Sequence, residues 1–210
     1  GDLSAYHAGV YLSGRALALD LRSGLSYSYI TLDNQRDINV SGLNGQATGD
    51  YRANLAQGFV EASHRFDFFN TLSVEPYGNT AWVWLQNQSG QESGNGAALA
   101  YDKDTTHTAF ATGGLRLKVR PLSRLPVSLY GDIGYQRRLI RDDNQVRLRF
   151  VSGGDAFTTE GLPLADNTRL MRAGVAVDFS RNVHLSLGYQ GDRATRVKDD
   201  SAQALFSMAF

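Results

Sequence analysis

168-TRLMRAGVAVDFSRNVHLSLGYQGDRATRVKDDSAQALFSMAF-210 carries one two-residue pattern through three consecutive segments and stops on an aromatic side chain. In the middle segment Val183, Leu185, Leu187 and Tyr189 fall on one face and His184, Ser186, Gly188 and Gln190 on the other, the repeat a strand requires. The preceding segment sets Met171, Ala173, Val175, Val177 and Phe179 against Arg172, Gly174, Ala176 and Asp178. The last sets Ala204, Phe206, Met208 and Phe210 against Gln203, Leu205, Ser207 and Ala209. Soluble sheets alternate too, so length decides. The apolar runs cover roughly nine to eleven residues, the span a tilted strand needs to cross a bilayer, and the opposite face carries the small and charged residues of a wet lumen.

The rest of the chain extends the pattern. Ala8, Val10 and Leu12 alternate with His7, Gly9 and Tyr11, and Ser13-Gly14-Arg15 reads as a short turn. Leu17, Leu19, Leu21, Leu25, Tyr27 and Tyr29 then oppose Asp20, Arg22, Gly24, Ser26 and Ser28, before a polar loop from Asn34 to Asp50. A third strand puts Val60, Ala62, His64 and Phe66 outward and turns at Phe69-Asn70-Thr71. The fourth runs from Leu72 to Trp84, where Pro76 removes a ladder donor and predicts a bulge or a missing bond. Gln86 to Lys103 reads as flexible loop. A fifth strand reaches Leu115, Leu117 and Val119, and a proline-bracketed turn, Pro121 to Pro126, leads to a sixth with Val127, Leu129, Ile133 and Tyr135 on its apolar face. The excursion from Arg141 to Asp166 contains an extended hairpin, in which Val146, Leu148 and Phe150 alternate with Arg147 and Arg149.

Short turns thus alternate with long polar connections, the asymmetry of an outer-membrane barrel, and Tyr29, Trp82, Trp84, Tyr135 and Tyr189 sit where interfacial girdles belong. The 210 residues contain no cysteine, which excludes disulfides and thiolate metal sites. With 21 basic and 21 acidic residues no net field draws the chain to nucleic acid. No apolar run is long enough for a transmembrane helix. No signal peptide opens the chain, so a secreted precursor is expected to have lost its start.

Several stretches carry a family likeness. The run Phe157-Thr158-Thr159-Glu160-Gly161-Leu162-Pro163, then Arg172-Ala173-Gly174-Val175 and Leu185-Ser186-Leu187-Gly188-Tyr189-Gln190-Gly191, resembles the carboxy-terminal part of the autotransporter β-domain family. Gly9-Val10-Tyr11, Leu72-Ser73-Val74-Glu75-Pro76-Tyr77 and Pro126-Val127-Ser128-Leu129-Tyr130 agree with it. The resemblance covers nearly all of residues 1–210, taken as a single domain. It implies an all-β, antiparallel, up-and-down transmembrane barrel of twelve strands in the outer membrane of a Gram-negative bacterium, which helps carry an amino-terminal passenger to the cell surface and anchors it. Implied partners are the passenger and its linker helix, the barrel-assembly machinery, outer-membrane lipid and lipopolysaccharide, with no cofactor. Gln203, Phe206, Met208 and Phe210 look like the assembly signal, with Leu205 where that signal usually has glycine.

Outer-membrane barrels include enzymes and pores, so a barrel without a passenger is the alternative. His7, His64, His107 and His184 lie on different strands outside any HExxH spacing, and no GxSxG elbow is present. No chemistry of its own and no metal are therefore expected. The face pattern predicts that Asp20, Arg22, Glu61, Arg65, Glu75, Arg116, Lys118, Asp132, Arg138, Arg172 and Asp178 line the lumen, where opposite charges pair. In some members of the family such carboxylates assist passenger cleavage, which makes Glu61 and Glu75 the candidates for that role. Counting strands gives nine. Single-chain bacterial barrels are even and closed, so the first strand is expected to be an edge, with three more strands and a plugging helix preceding residue 1.

Overall fold

The computed structural model describes the chain apart from residues 41–42, 70, 95, 121–125, 143–144, 162–163, 181, 196 and 209–210. The described residues form β1 (Asp2–Ala16), β2 (Leu19–Val40), β3 (Leu43–Ser63), β4 (Phe66–Phe68), β5 (Leu72–Asn87), β6 (Gly90–Gln91), β7 (Ser93–Gly94) and β8 (Leu99–Tyr101). There follow β9 (Asp104–Val119), β10 (Val127–Ile140), β11 (Gln145–Phe150), β12 (Phe157–Glu160), β13 (Asn167–Ser180), β14 (Val183–Ala194) and β15 (Lys198–Met208).

Nine long strands make one curled antiparallel sheet in the order β1-β2-β3-β5-β9-β10-β13-β14-β15, with β4 and β7 as short additions. It starts at β1 and ends at β15, and no described residue pairs one with the other. That agrees with nine strands and a free first edge.

The sheet is inside out by the standards of a soluble protein. Val10, Leu25, Val60, Ile133, Met171, Leu187 and Phe206 are exposed, and the buried side chains of the same sheet include Ser28, Glu61, Ser63, Glu75, Thr108, Ser128 and Asp132. Hydrophobic residues ordinarily leave water. An apolar surround is the solvent that reconciles this pattern with stability, and the polar face becomes the inner one.

Three sequence expectations need correction. The first turn is not Ser13-Gly14-Arg15. β1 continues through those residues to Ala16, and the reversal is made by Leu17 and Ala18, with φ of 50° and 67°. A two-residue turn at Gly14-Arg15 would, like the observed one, pair residues of opposite parity and keep every apolar side chain on the same face, so alternation could not choose between the two. The Arg15–Asp20 ion pair, 3.0 Å, spans the observed turn.

Asn34 to Asp50 is not a loop either. β2 and β3 run paired from Asp20↔Ser63 to Val40↔Leu43, a hairpin that leaves the apolar band and keeps its ladder. Gln86 to Lys103 likewise forms β6, β7 and β8. β7 joins β3, and a second sheet of order β12-β11-β8-β6 gathers the excursions before β9 and before β13. The expected β11–β12 hairpin is present, paired from Gln145↔Glu160 to Leu148↔Phe157.

Pro76 behaves as anticipated. It faces Leu115 of β9 on one side, and on the other the ladder lapses at His64 and Arg65 between β3 and β4, without a change of register. The turn at residues 121–125, Asn70, Leu162 and Pro163 of the family-like run, and Phe210 lie outside the described residues.

Candidate functional site

On the inner face, one cross-strand row crosses five strands: Glu75 of β5 faces Arg116 of β9, then Asp132 of β10, Arg172 of β13 and Gln190 of β14. The signs alternate because each strand contributes one residue of that row, and opposite charges directly across a ladder attract. Glu61, on β3, reaches the same row from higher up. Arg116 is the hub. Its guanidinium lies 2.7 Å from Glu61 and 3.0 Å from Glu75, with Asp132 at 3.7 Å. Arg22 binds Glu61 at 2.9 Å, Arg65 binds Glu75 at 3.2 Å, and Arg172 reaches Asp132 at 3.5 Å while donating to Gln190.

Tyr77 completes the belt. Its hydroxyl donates to Asp132 at 3.0 Å, and Arg116 lies 3.9 Å from its ring centroid. The ring needs room across two strands, and glycine provides it: a Cβ on Gly114 would come within 2.5 Å of Tyr77, and one on Gly134 within 2.8 Å of its hydroxyl. Tyr130 lies over Gly174 and Gly188 in the same way.

Seven of the eleven lumen residues expected from sequence therefore meet in one network: Arg22, Glu61, Arg65, Glu75, Arg116, Asp132 and Arg172. The others do not join it. Asp20 pairs with Arg15 at the first turn, Arg138 with Asp166 at the far end of β10, and Asp178 with His184 near the turn before β14. Lys118 sits one row below Arg116, toward the short-turn end, opposite Tyr130. The histidines stay apart: His7 bonds Ser28, His64 bonds the carbonyl of Ala18, and His107 stacks on Trp82. Tyr77 and Gln190 share the face and row spacing of the charges, but a reading that selects lumen residues by charge alone passes over them.

A second polar centre, missed entirely, stands beyond the apolar band, which on β3 ends at Asn54. Glu92, in the connection between β6 and β7, is buried. It accepts hydrogen bonds from Arg36 of β2 at 2.5 Å, from Tyr51 of β3 at 3.0 Å and from the amide of Leu99 at 2.9 Å. Tyr101 stacks on Tyr51 with centroids 4.7 Å apart and donates to the carbonyl of Asp50. Burial works against ionisation of Glu92, but the donors from Arg36, Leu99 and Tyr51 outweigh it and hold the carboxyl below the usual range. Burial and the neighbouring Glu92 push the Tyr51 hydroxyl up to about 12. This centre ties the long hairpin to the second sheet.

A family model described as the autotransporter β-domain matches residues 1–190. Two extracellular serine proteases of Serratia marcescens are each 29% identical over 206 residues, which cover 98% and 97% of this chain. Those residues make up 20% of each protease, so the chain spans one fifth of the length of these relatives. Among solved structures, the translocator domain of the autotransporter NalP from Neisseria meningitidis matches with a TM-score of 0.70 at 16% identity, over 99% of this chain and 68% of that one. At that identity the likeness speaks for the fold.

Proposed function

Given that this chain belongs to the autotransporter β-domain family, as an outer-membrane translocator for a passenger, we propose that its ionic belt is the surface along which the passenger's linker is held. The observation that carries this reading is the inner row itself. Glu61, Glu75 and Asp132 are spent on one another's arginines, whereas Arg65 and Arg172 keep about half of their side-chain surface free toward the lumen. Those two cations suit an acidic or carbonyl-rich linker. Glu61 and Glu75, clamped by Arg116, serve the wall rather than act as bases. The domain carries no chemistry of its own, and the passenger stays anchored by the linker in the lumen.

Arg65→Glu combined with Arg172→Glu in the intact protein tests this. Passenger exposed at the cell surface, read by protease shaving, is expected to drop several-fold while the barrel still migrates in its heat-modifiable folded form. Unchanged exposure would remove the linker from the belt.

The edges of β1 and β15, unpaired among the described residues, support the further proposal that three strands preceding residue 1 complete a twelve-stranded barrel, since bare ladder groups in lipid cost several kcal/mol each. The outer membrane as location rests on the exposed apolar band. Leu187→Arg is expected to cost about 2–4 kcal/mol at mid-membrane depth, whereas Ser186→Arg, facing the lumen, is tolerated. Equal damage measured by unfolding in detergent would mean the faces are misassigned. Gln203, Phe206, Met208 and Phe210 act as the assembly signal toward the barrel-assembly machinery, with Phe206 opposite Leu185 and Met208 opposite Val183 on the outward face. Deleting Phe210 is expected to leave protease-sensitive protein in the periplasm; wild-type levels of folded barrel would end that assignment.

A further inference from the structure

Outside the barrel wall there is a row of a different kind. Tyr135, Arg169, Arg193 and Lys198 are direct cross-strand neighbours on β10, β13, β14 and β15. Alternation places them on the outward face, above Ile133, Met171, Tyr189 and Leu187, and Arg137 stands one row further on. Like charges directly opposite one another in a ladder repel, so three successive cations need a counter-charge. On the inner face the same strands solve that problem with Asp132 against Arg172.

The outward face supplies too little. Among its described residues on β13–β15, Asp200 is the only carboxylate at or below the row, and Arg193 ion-pairs with it at 2.5 Å, together with the Tyr189 hydroxyl. Lys198 acts on the same Asp200 at longer range. Arg137 acts at longer range on Asp166, which already binds Arg138 and Arg141. Arg169 makes no ion pair within 4 Å among the described residues.

Height then identifies the missing charge. From Val183, at the short-turn end of β14, to Arg193 is ten residues, roughly 33 Å along a strand and about 25 Å after a tilt near 40°. That equals the apolar band of an outer-membrane barrel, so the row lies at its upper edge, on the side of the long connections. Apart from the paired Asp200, the outward side chains beneath it on β13–β15 are uncharged: Met171, Ala173, Val175 and Val177 on β13, Tyr189, Leu187 and Leu185 on β14.

We infer that this row binds the phosphate groups of a phosphorylated saccharolipid of the outer leaflet, whose acyl chains lie along the apolar columns below. The inference rests on the outer-membrane reading above. A dissolved anion has no reason to prefer a site at the edge of hydrocarbon, whereas a lipid phosphate is held at that depth by its own chains.

The test uses the intact protein carrying this domain, purified in detergent, with a bis-phosphorylated saccharolipid, its dephosphorylated counterpart and inorganic phosphate as probes. Arg169→Gln combined with Lys198→Gln is expected to weaken binding of the phosphorylated lipid about tenfold or more, leave binding of the dephosphorylated lipid unchanged, and preserve heat-modifiable migration. Inorganic phosphate is expected not to displace the lipid. Three results overturn the site: equal binding by wild type and variant, equal binding of both lipids by the wild type, or displacement by inorganic phosphate. Should that variant fail to fold, Arg137→Gln combined with Lys198→Gln carries the same expectations. Loss of wild-type protein from the outer-membrane fraction would instead sink the membrane reading, and the detergent assay is independent of it.

Discussion

The inner belt and the Glu92 centre are both carboxylates held by arginine and tyrosine, yet they are built in opposite ways. In the belt the partners are fixed by strand register: Glu75, Arg116, Asp132 and Arg172 are neighbours because their strands are. Around Glu92 the partners come from β2, β3 and the start of β8; only Leu99 lies opposite it by continuation of the β6–β8 ladder, and register places neither Arg36 nor Tyr51 there. A belt written into the ladder can fail only with the barrel. A centre assembled from excursions can open while the barrel stays whole.

The largest effect that separates the two is expected from Arg116→Met. Removing the shared cation leaves buried Glu61 to Arg22 and buried Glu75 to Arg65 and Arg22, and since deleting one partner of a buried pair costs about 3–5 kcal/mol when nothing replaces it, the loss is expected toward the lower end of that range. Unfolding of the detergent-solubilised protein, followed by heat-modifiable migration, is expected to shift as one transition. A loss confined to the outer sheet would contradict the distinction.

Glu92→Gln comes next, at about 1–2 kcal/mol, because Arg36 is partly solvated and its charge is screened. Here limited proteolysis is the readout. Cleavage between residues 88 and 103 should increase while the barrel transition stays put, and a matching drop in barrel stability would merge the two regions into one cooperative unit.

Gly114→Ala sharpens the belt side. The new methyl meets the Tyr77 ring, which must leave Asp132, at a cost of about 1–2 kcal/mol for one charged hydrogen bond and some packing. Tyr77→Phe in the same background should add little, since the hydrogen bond is already gone; fully additive losses would show that the glycine does not serve the tyrosine.

The smallest effect is on pH. Glu92 is held below its ordinary pKa, so its stabilisation is present above that ordinary value and fades as pH falls through the lower, folded one. Tyr51 is raised to about 12, so its contribution is complete below pH 10 and disappears between 10 and about 12. The outer sheet should thus loosen at both extremes, seen as faster cleavage of residues 88–103 in acid and in alkali, and Tyr51→Phe should weaken the alkaline limb, which Tyr101 shares, and shrink the acid limb by removing one donor from Glu92. A pH-independent cleavage rate would mean the Glu92 centre does not hold the sheet.

These differences also explain what could be read from the chain. Alternation exposes any residue whose role depends on which face it occupies, and seven belt residues from Arg22 to Arg172 were found that way. It says nothing about where a strand stops. The hairpin beyond Asp33 and the strands around Glu92 look polar and irregular, because no lipid imposes a period on them. Arg36 and Glu92 are 56 residues apart, and neither occupies a motif. Their pairing is a product of tertiary folding alone.

The Leu17-Ala18 reversal carries a kinetic consequence. With the turn at Gly14-Arg15, Val10 would zip against Leu19 instead of Leu25, and each side chain would still meet the correct environment. The chain therefore has a decoy register of β1 on β2 that hydrophobic collapse does not reject, and the native one demands two residues without glycine's freedom in the left-handed region. Leaving the decoy means unzipping a hairpin, so refolding into detergent micelles should show a slow phase. Leu17→Asn with Ala18→Gly supplies the preferred two-residue turn and should erase that phase without moving the final state. Single-phase refolding of the wild type would show that the decoy is never populated.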